Sequence, residues 1–116
     1  MKMLPEDALP LKPRTFLLLL VLADDGPQHG YAIKRALQDR SDGTVSMDPG
    51  GFYRLIGRLE RDGLVRRAES PPEETDERRQ YIAITAWGRA VLAAESRRIA
   101  SLARLPAVQA LAREAR

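Results

Sequence analysis

Residues 48–65 read Asp48-Pro49-Gly50-Gly51-Phe52-Tyr53-Arg54-Leu55-Ile56-Gly57-Arg58-Leu59-Glu60-Arg61-Asp62-Gly63-Leu64-Val65. Asp48 suits the N-cap of a helix, because its carboxylate can accept from the free backbone amides of the first turn. Pro49 suits the first helical position, where no N–H is needed. Gly63 suits the stop, because glycine readily adopts the left-handed conformation just past a helix end. The stretch therefore predicts one helix between these signals.

This predicted helix has two distinct faces, since successive residues step by about 100°. One face is apolar and follows the i, i+3, i+4, i+7 spacing, with Phe52, Leu55, Ile56 and Leu59. The opposite face carries Arg54, Arg58 and Arg61, with Gly50 and Gly51 beside them. A helix that enters a DNA major groove needs this arrangement. Periodicity alone favours a merely solvated arginine surface, so the flanking sequence has to decide.

The overall composition is compatible with a nucleic-acid partner. The chain has 116 residues, which fits one domain with a short extension, and a second subunit would help to stabilise so small a core. Its net charge is +3, and 16 of its 19 basic residues are arginine. Arginine suits bidentate contacts to phosphate and guanine, although genomic base composition would explain the same bias equally well.

Other classes of function have little support. The chain has no cysteine and one histidine, so we expect no disulfide, no metal site and no cofactor. His29 is expected to cap or pack the second helix. Paired carboxylates, a nucleophile–base pair and a phosphate loop are all missing at usable spacing, so we expect no enzyme. The apolar run Phe16–Ala23 is far shorter than the ~18 residues that span a bilayer. A cytoplasmic protein without a membrane partner is therefore expected.

The order of predicted elements is helix, helix, helix, strand, strand, helix. The helices are predicted at Pro13–Asp24, which is apolar on every side and so expected to be buried all round, at Gly30–Arg40 and at the stretch quoted above. Leu64–Glu69 and Gln80–Ile84 are predicted as the two strands of a hairpin. The expected fold is mainly α with a small β-hairpin, a winged helix-turn-helix with a C-terminal dimerisation helix. Its divisions are an irregular N-terminal arm (1–12), the DNA-binding domain (13–85) and the dimerisation helix with its tail (86–116).

The C-terminal part carries a candidate dimerisation seam. Thr85 is expected to cap a helix that runs from Ala86 towards Leu105, where Pro106 interrupts it. A further short helical turn or two is expected within Ala107–Ala115. The residues with coiled-coil-like spacing, and therefore the expected dimer contacts, are Leu92, Ile99 and Leu102, with Val91 beside them.

The sequence resembles the PadR family of bacterial transcriptional regulators, over roughly Phe16 to Glu95. The matching segments are His29-Gly30-Tyr31 with Ile33 and Leu37, Pro49-Gly50-Gly51-Phe52-Tyr53-Arg54, Leu59-Glu60-Arg61-Asp62-Gly63-Leu64-Val65, and Tyr81 with Thr85, Gly88 and Arg89. The short C-terminus looks like the compact subfamily with a single dimerisation helix. The resemblance implies a homodimeric winged helix that binds an inverted-repeat operator in double-stranded DNA and usually represses.

Roles for individual residues follow from the helix geometry together with this resemblance. Arg54 and Arg58 are the expected base or phosphate readers, because arginine can bond O6 and N7 of guanine. The resemblance implies a phosphate contact for Tyr53. The complete expected DNA-binding set is Gly50, Gly51, Tyr53, Arg54, Arg58, Arg61, Arg66, Arg67, Arg78 and Arg79. Some relatives bind flat aromatic ligands against a tryptophan at the dimer interface. Trp87 lies earlier than that, so packing against the wing is favoured, and a ligand pocket for an unidentified small-molecule effector is kept as the alternative.

The wing departs from the family pattern. Its tip, Pro72–Glu77, is acidic where relatives commonly carry glycine and basic residues, and position 51 is glycine where a small hydroxyl residue is common. We expect the tip to point away from DNA and the arginines at its base to contact the backbone. Two other interpretations remain open, a winged helix that binds another protein through the acidic tip and a MarR-type regulator. Salt-sensitive DNA affinity would separate the first of these from a DNA-binding regulator.

Overall fold

A computed structural model describes residues 3–115 of the chain. The helices are α1 (Pro13–Asp25), α2 (Gly30–Arg40), α3 (Pro49–Arg61), α4 (Ala86–Ala103) and α5 (Pro106–Glu114). The strands are β1 (Gln28–His29), β2 (Val65–Ala68) and β3 (Tyr81–Ile84). This order confirms the predicted winged helix, in which β2 and β3 form the wing.

The ends of α3 follow from the caps that the sequence predicts. The Asp48 carboxylate accepts the backbone N–H of Gly51 at 3.1 Å, and Pro49 occupies the first position of the helix. Gly63 has a φ of 75°, which lies in the left-handed region that favours glycine. The chain therefore leaves α3 sharply and enters the wing two residues later.

The core lies between α3 and the other helices of the domain. The predicted apolar face of α3 is buried, with exposures of 5% or less at Phe52, Leu55, Ile56 and Leu59. Each such side chain contributes about 1.5–3 kcal/mol relative to an exposed one. The same cluster takes in residues from every neighbouring element, among them Leu18, Leu22, Ile33, Leu37, Val65, Ile82 and Val91. The amphipathic pattern of α3 thus sets which way its arginines face.

The sheet contains one strand that the sequence pattern did not predict. β1 pairs antiparallel with β3, with Gln28 opposite Ile82 and His29 opposite Tyr81. On its other edge β3 pairs with β2, so the strand order is β1-β3-β2. Two residues cannot display an alternating pattern, which is why β1 was missed. Its effect is to tie the start of α2 to the base of the wing.

Gly88 marks a close approach between α4 and the end of α3. A Cβ at this position would lie 2.1 Å from the carbonyl oxygen of Leu64, which no side chain can tolerate. Thr85 caps α4 by accepting the Gly88 amide at 2.9 Å, while its hydroxyl donates to the Gly63 carbonyl at 2.6 Å. These contacts hold the start of α4 against the turn that ends α3.

Two predictions about the outer parts of the chain need correction. The arm is not wholly irregular, since Pro5–Ala8 forms a turn of 3₁₀ helix that packs on α4. α1 is not buried all round, because Phe16, Leu17 and Leu20 on its outer side are only partly covered. The short helical segment predicted after α4 is present as α5, which has nine residues, all of them exposed. The chain thus presents apolar surface on α1, α4 and α5.

A buried carboxylate joins the arm to α4. Glu95 is fully buried, and its Oε2 accepts the backbone N–H of Leu11 at 2.7 Å. Arg98, one turn later on α4, donates to the same carboxylate, with Nη2 at 3.0 Å from Oε2. The side-chain hydrogen bond from Arg98, supported by the Leu11 amide, lowers the pKa of Glu95. The hydrogen bond from Leu11 to Glu95 fixes the residue immediately before Lys12 and the start of α1.

Candidate nucleic-acid interface

The exposed face of α3 is a row of arginines without acidic partners. Arg54, Arg58 and Arg61 are all exposed and lie opposite the buried stripe. Within residues 3–115 none of the three takes part in an ion pair. Gly57 lies on the same side and has open space around it, since a Cβ would meet only the Arg61 guanidinium at 3.6 Å. This face can approach another molecule closely and offers it several guanidinium groups.

The glycines at the start of α3 have a more local role than the sequence suggests. The Gly51 amide already donates to the Asp48 carboxylate, and a Cβ at Gly51 would lie 2.9 Å from Asp48 Oδ1. The hydrogen bond from Gly51, aided by the charge of Arg54, lowers the pKa of Asp48. Gly51 therefore makes room for the cap, and its amide is occupied while Asp48 is in place. Gly50 is exposed at the helix start.

Tyr53 lies beside the arginine row at the edge of a cleft. The residue is 60% exposed, and its ring packs edge-to-face on Phe52, with 5.4 Å between ring centroids. The cleft has a volume of about 570 Å³ and separates α3 from the base of the wing, where Arg67 and Arg79 line its far side. The phenol hydroxyl is thus available to a ligand that runs between α3 and the wing.

His29 has the capping role expected from the sequence. Its Nδ1 accepts the backbone N–H of Ala32 at 3.2 Å, which satisfies one free amide of α2. Its ring also packs edge-to-face against Tyr81, 5.5 Å between centroids. Within the part of the chain that the structure describes, no group of three or more acidic or histidine residues could hold a metal ion. Because it caps α2 and packs against Tyr81 of β3, His29 links α2 to the wing.

The two arginines of β2 differ in their surroundings. Arg67 forms an ion pair with Glu60 of α3, with 3.3 Å between Nη2 and Oε1. Arg66, on the other face of the strand, is exposed and contacts only the neighbouring carbonyl of Arg67, at 3.3 Å, among the hydrogen bonds found in residues 3–115. Arg66 is the more available of the two cations.

The wing loop neutralises much of its own charge. Arg78 binds Asp76 at 3.2 Å, and Arg79 binds Glu74 at 3.4 Å. The Glu74 side chain is only 7% exposed, because it also accepts the Tyr81 hydroxyl at 2.6 Å and two loop amides. The Tyr81 hydrogen bond is the main cause that lowers the pKa of Glu74 to about 2. The acids that the sequence places at an open tip thus serve partly as the internal framework of the loop.

Trp87 lies beside a cleft next to the arm. It is partly buried at the start of α4, where it lines a cleft of about 530 Å³ together with Leu11 of the arm, Leu59 of α3 and Leu64. Arg58 forms part of the same wall. One side of the tryptophan therefore borders the space between the arm and the end of α3.

Two basic residues that the sequence analysis did not single out lie close to the arginine row. Lys12 and Arg14, at the start of α1, line a concavity of about 300 Å³ that they share with Arg54 and Arg58. Some forty positions separate the two pairs, so no local pattern connects them. The one local sign in the sequence of a basic surface at this place was that Lys12 and Arg14 flank Pro13, the first residue of α1.

The fold and the arginine face define a winged-helix protein of the nucleic-acid-binding type, and comparison with known proteins agrees. The model of the transcriptional regulator PadR-like family matches residues 18–94. An uncharacterized 37.1 kDa protein in a transposon of Streptomyces fradiae is 37% identical over 86 residues. Those residues are 74% of this chain and 23% of that protein, so the chain spans about a quarter of this curated relative.

Solved structures of similar fold come from several bacteria. A probable transcriptional regulator from Pseudomonas aeruginosa has a TM-score of 0.62 and 27% identity, over 90% of this chain and 74% of that one. A transcriptional regulator from Clostridium thermocellum has a TM-score of 0.62 and 20% identity, over 77% of this chain and 82% of that one. A mutant MarR from E. coli, complexed with operator DNA, has a TM-score of 0.62 and 21% identity, over 77% of this chain and 56% of that one.

The chain belongs to the transcriptional regulator PadR-like family, since the family match covers well over half of its length. The family is one of transcriptional regulators. No helix within residues 3–115 combines the length and apolar character needed to cross a membrane.

Proposed function

We propose that the protein is a homodimeric repressor whose α3 reads an inverted-repeat operator in the major groove. The observation that carries this proposal is the row of unpaired arginines on the exposed face of α3, opposite a fully buried stripe. Arg54 and Arg58 are one turn apart, so both guanidinium groups can reach base edges of the same half-site. Arginine recognises guanine through O6 and N7, and each such pair contributes about 1–3 kcal/mol of discrimination.

Contacts to the phosphate backbone would surround this helix. Tyr53 and Arg66 are the best supported, because both are exposed and neither is held by an acid within the described residues. Arg67, Arg78 and Arg79 each have an acidic partner, so we assign them a smaller share of the backbone contact. Such contacts position the protein without reading sequence.

The dimer that we propose uses the second half of α4. Val91 and Leu92 are buried inside the protomer, with exposures of 0% and 5%, so they cannot also meet a second copy without disrupting the core. Ile99 and Leu102 continue the same stripe beyond the core and are 36% and 45% exposed. They form the proposed interface together with exposed Leu105, Val108 and Leu111. A two-fold dimer of this kind would place its two α3 helices on an inverted repeat.

A small-molecule effector would act most directly through the cleft beside Trp87. Arg58 forms part of the wall of that cleft and also lies on the DNA-facing side of α3. Occupation of the cleft would therefore change the position of a base-reading side chain. Quenching of Trp87 fluorescence gives a direct measure of such binding.

A protein-binding wing is the less supported alternative. The Glu74 side chain is 7% exposed and Asp76 is paired with Arg78, so two of the acids are engaged within the loop. A docking surface for a basic partner would have to rely on the remaining exposed acids, Glu69, Glu73 and Glu77.

Nuclease protection of the DNA upstream of the protein's own gene tests the proposal. The purified protein should protect an inverted repeat with half-sites about 10–10.5 bp apart, or a multiple of this, and affinity should fall steeply with salt. Uniform, sequence-independent protection, or no protection at low salt, would contradict the assignment.

A further inference from the structure

A cationic concavity lies between the start of α1 and the exposed face of α3. Four basic side chains line it, and its volume is about 300 Å³. Lys12 precedes α1 and Arg14 belongs to its first turn, while Arg54 and Arg58 lie on α3. The other lining residues, Thr15, Met47, Gly51 and Leu55, are uncharged. In residues 3–115 none of the four cations belongs to an ion pair. Four like charges around one hollow repel one another, so an anion bound there would relieve the repulsion.

The neighbouring acid does not neutralise this hollow. Asp48 is the cap of α3, and its carboxylate is held by the Gly51 amide at 3.1 Å. Asp48 lies near Arg54, since a Cβ built on Gly50 would meet Arg54 Nη1 at 3.2 Å and Asp48 Oδ2 at 3.3 Å, and the charge of Arg54 is among the causes that lower the pKa of Asp48. One carboxylate against four cations leaves a net positive charge of about three at this place.

The backbone next to Lys12 is held in place by a contact with α4. The amide of Leu11 is bound by buried Glu95 of α4 at 2.7 Å, and Leu11 is itself partly buried. The Lys12 carbonyl accepts the Phe16 amide at 2.9 Å, which begins α1. Lys12 is thus held between an anchored residue and the first helical turn, so its side chain is presented to the hollow by a rigid backbone.

We propose that Lys12 and Arg14 bind a backbone phosphate of the same duplex that α3 reads. This inference rests on the proposed function, because it adds a contact to that DNA complex. Lys12 and Arg14 lie next to Arg54 and Arg58, so a duplex with α3 in its major groove brings its flanking strand to this hollow. The contact is to phosphate and carries no sequence information. It extends the footprint from α3 to the start of α1.

The test is a salt titration of DNA affinity for the double variant Lys12→Gln/Arg14→Gln, on operator and on random duplexes. Each phosphate contact contributes about −0.9 to the slope of log affinity against log salt, so the loss of this one phosphate contact should flatten the slope by about 0.9. Affinity should fall by the same factor on both duplexes, with sequence preference unchanged. The charge-preserving variant Lys12→Arg/Arg14→Lys should keep most of the slope. Both variants should melt at the same temperature as the wild type, because both side chains are exposed.

The matched control removes two positive charges elsewhere. Arg104→Gln/Arg113→Gln changes the net charge equally but lies at the end of α4 and in α5. An unchanged slope in the Lys12/Arg14 variant, or an equal flattening in the control, overturns this inference while leaving the proposed function intact. Wild-type protein that binds neither duplex overturns the proposed function and the inference together.

Discussion

The carboxylate of Glu95, in the middle of α4, accepts the backbone N–H of Leu11 at 2.7 Å although 84 positions separate them. Glu95 is fully buried, and Arg98 donates to it from the next turn of α4. The contact ties the proposed dimerisation helix to the arm that leads into α1. A change in α4 therefore has a direct structural route to the basic residues at the start of α1.

Replacement of Glu95 with alanine should lower the free energy of unfolding by about 1–3 kcal/mol, because the partly buried Leu11 amide loses its acceptor. The cost stays in this range because the Arg98 side chain is 40% exposed and can turn to water. Glu95→Gln should lose less, since its amide oxygen can still accept from Leu11. Urea unfolding of the three proteins measures the difference. Equal stability of the wild type and Glu95→Ala would show that the contact does not hold the arm.

Glu74 should titrate at unusually low pH. Its pKa is about 2 against an ordinary value of 4.5, chiefly because the Tyr81 hydroxyl donates to it. A lowered folded-state pKa means that its contribution to stability is present above pH 4.5 and is lost as the pH falls towards 2. An NMR titration of the Glu74 carboxyl carbon should show a midpoint near 2 in the wild type. Tyr81→Phe should move that midpoint upwards, and an identical midpoint in both proteins would refute the proposed cause.

Asp76 should restrain DNA binding by the wing, because it pairs with Arg78 at 3.2 Å. Asp76→Asn should release that arginine, tighten binding to operator and random duplexes alike, and steepen the salt slope by up to about 0.9. Glu77→Gln is the matched control, because Glu77 belongs to the same loop and has no ion pair in the described part of the chain. Equal effects of the two variants would mean that net charge alone is responsible.

The dimer should depend on the exposed half of the α4 stripe. Ile99→Glu places a charge on the apolar surface that we propose faces a second copy, so this variant should sediment as a monomer and lose operator binding. Arg97→Glu lies on nearly the opposite side of α4 and should remain dimeric. An intact dimer in Ile99→Glu, with its fold unchanged, would exclude this surface as the interface.

The parts of the fold that follow local rules were predictable from the sequence. α3 was identified because Asp48, Pro49 and Gly63 mark its ends and Phe52–Leu59 carries a helical stripe. The hairpin strands were each placed to within one residue. The α4 stripe was also visible, but periodicity cannot tell where the protomer's own core stops. Leu92 is buried and Ile99 exposed although both belong to the same stripe.

Features that depend on long-range contacts were missed. β1 is too short to show an alternating pattern, and Glu95 looks like an ordinary surface residue of a helix until the arm is seen to cover it. The pairing of Asp76 and Glu74 with Arg78 and Arg79 depends on how the wing loop closes. For the candidate interface, the α3 arginines could be predicted from one helix, whereas the contribution of Lys12 and Arg14 required the tertiary fold.

The most direct test of the central claim is to measure binding of Arg54→Ala and Arg58→Ala to the operator and to a set of its single-base-pair substitutions. If α3 reads DNA through these side chains, each variant should lose about 1–3 kcal/mol on the operator and become tolerant of substitution at one base pair. Arg97→Ala, which removes an arginine from α4, should keep both affinity and preference. Unchanged affinity together with unchanged preference in both α3 variants would contradict the assignment of α3 as the recognition helix.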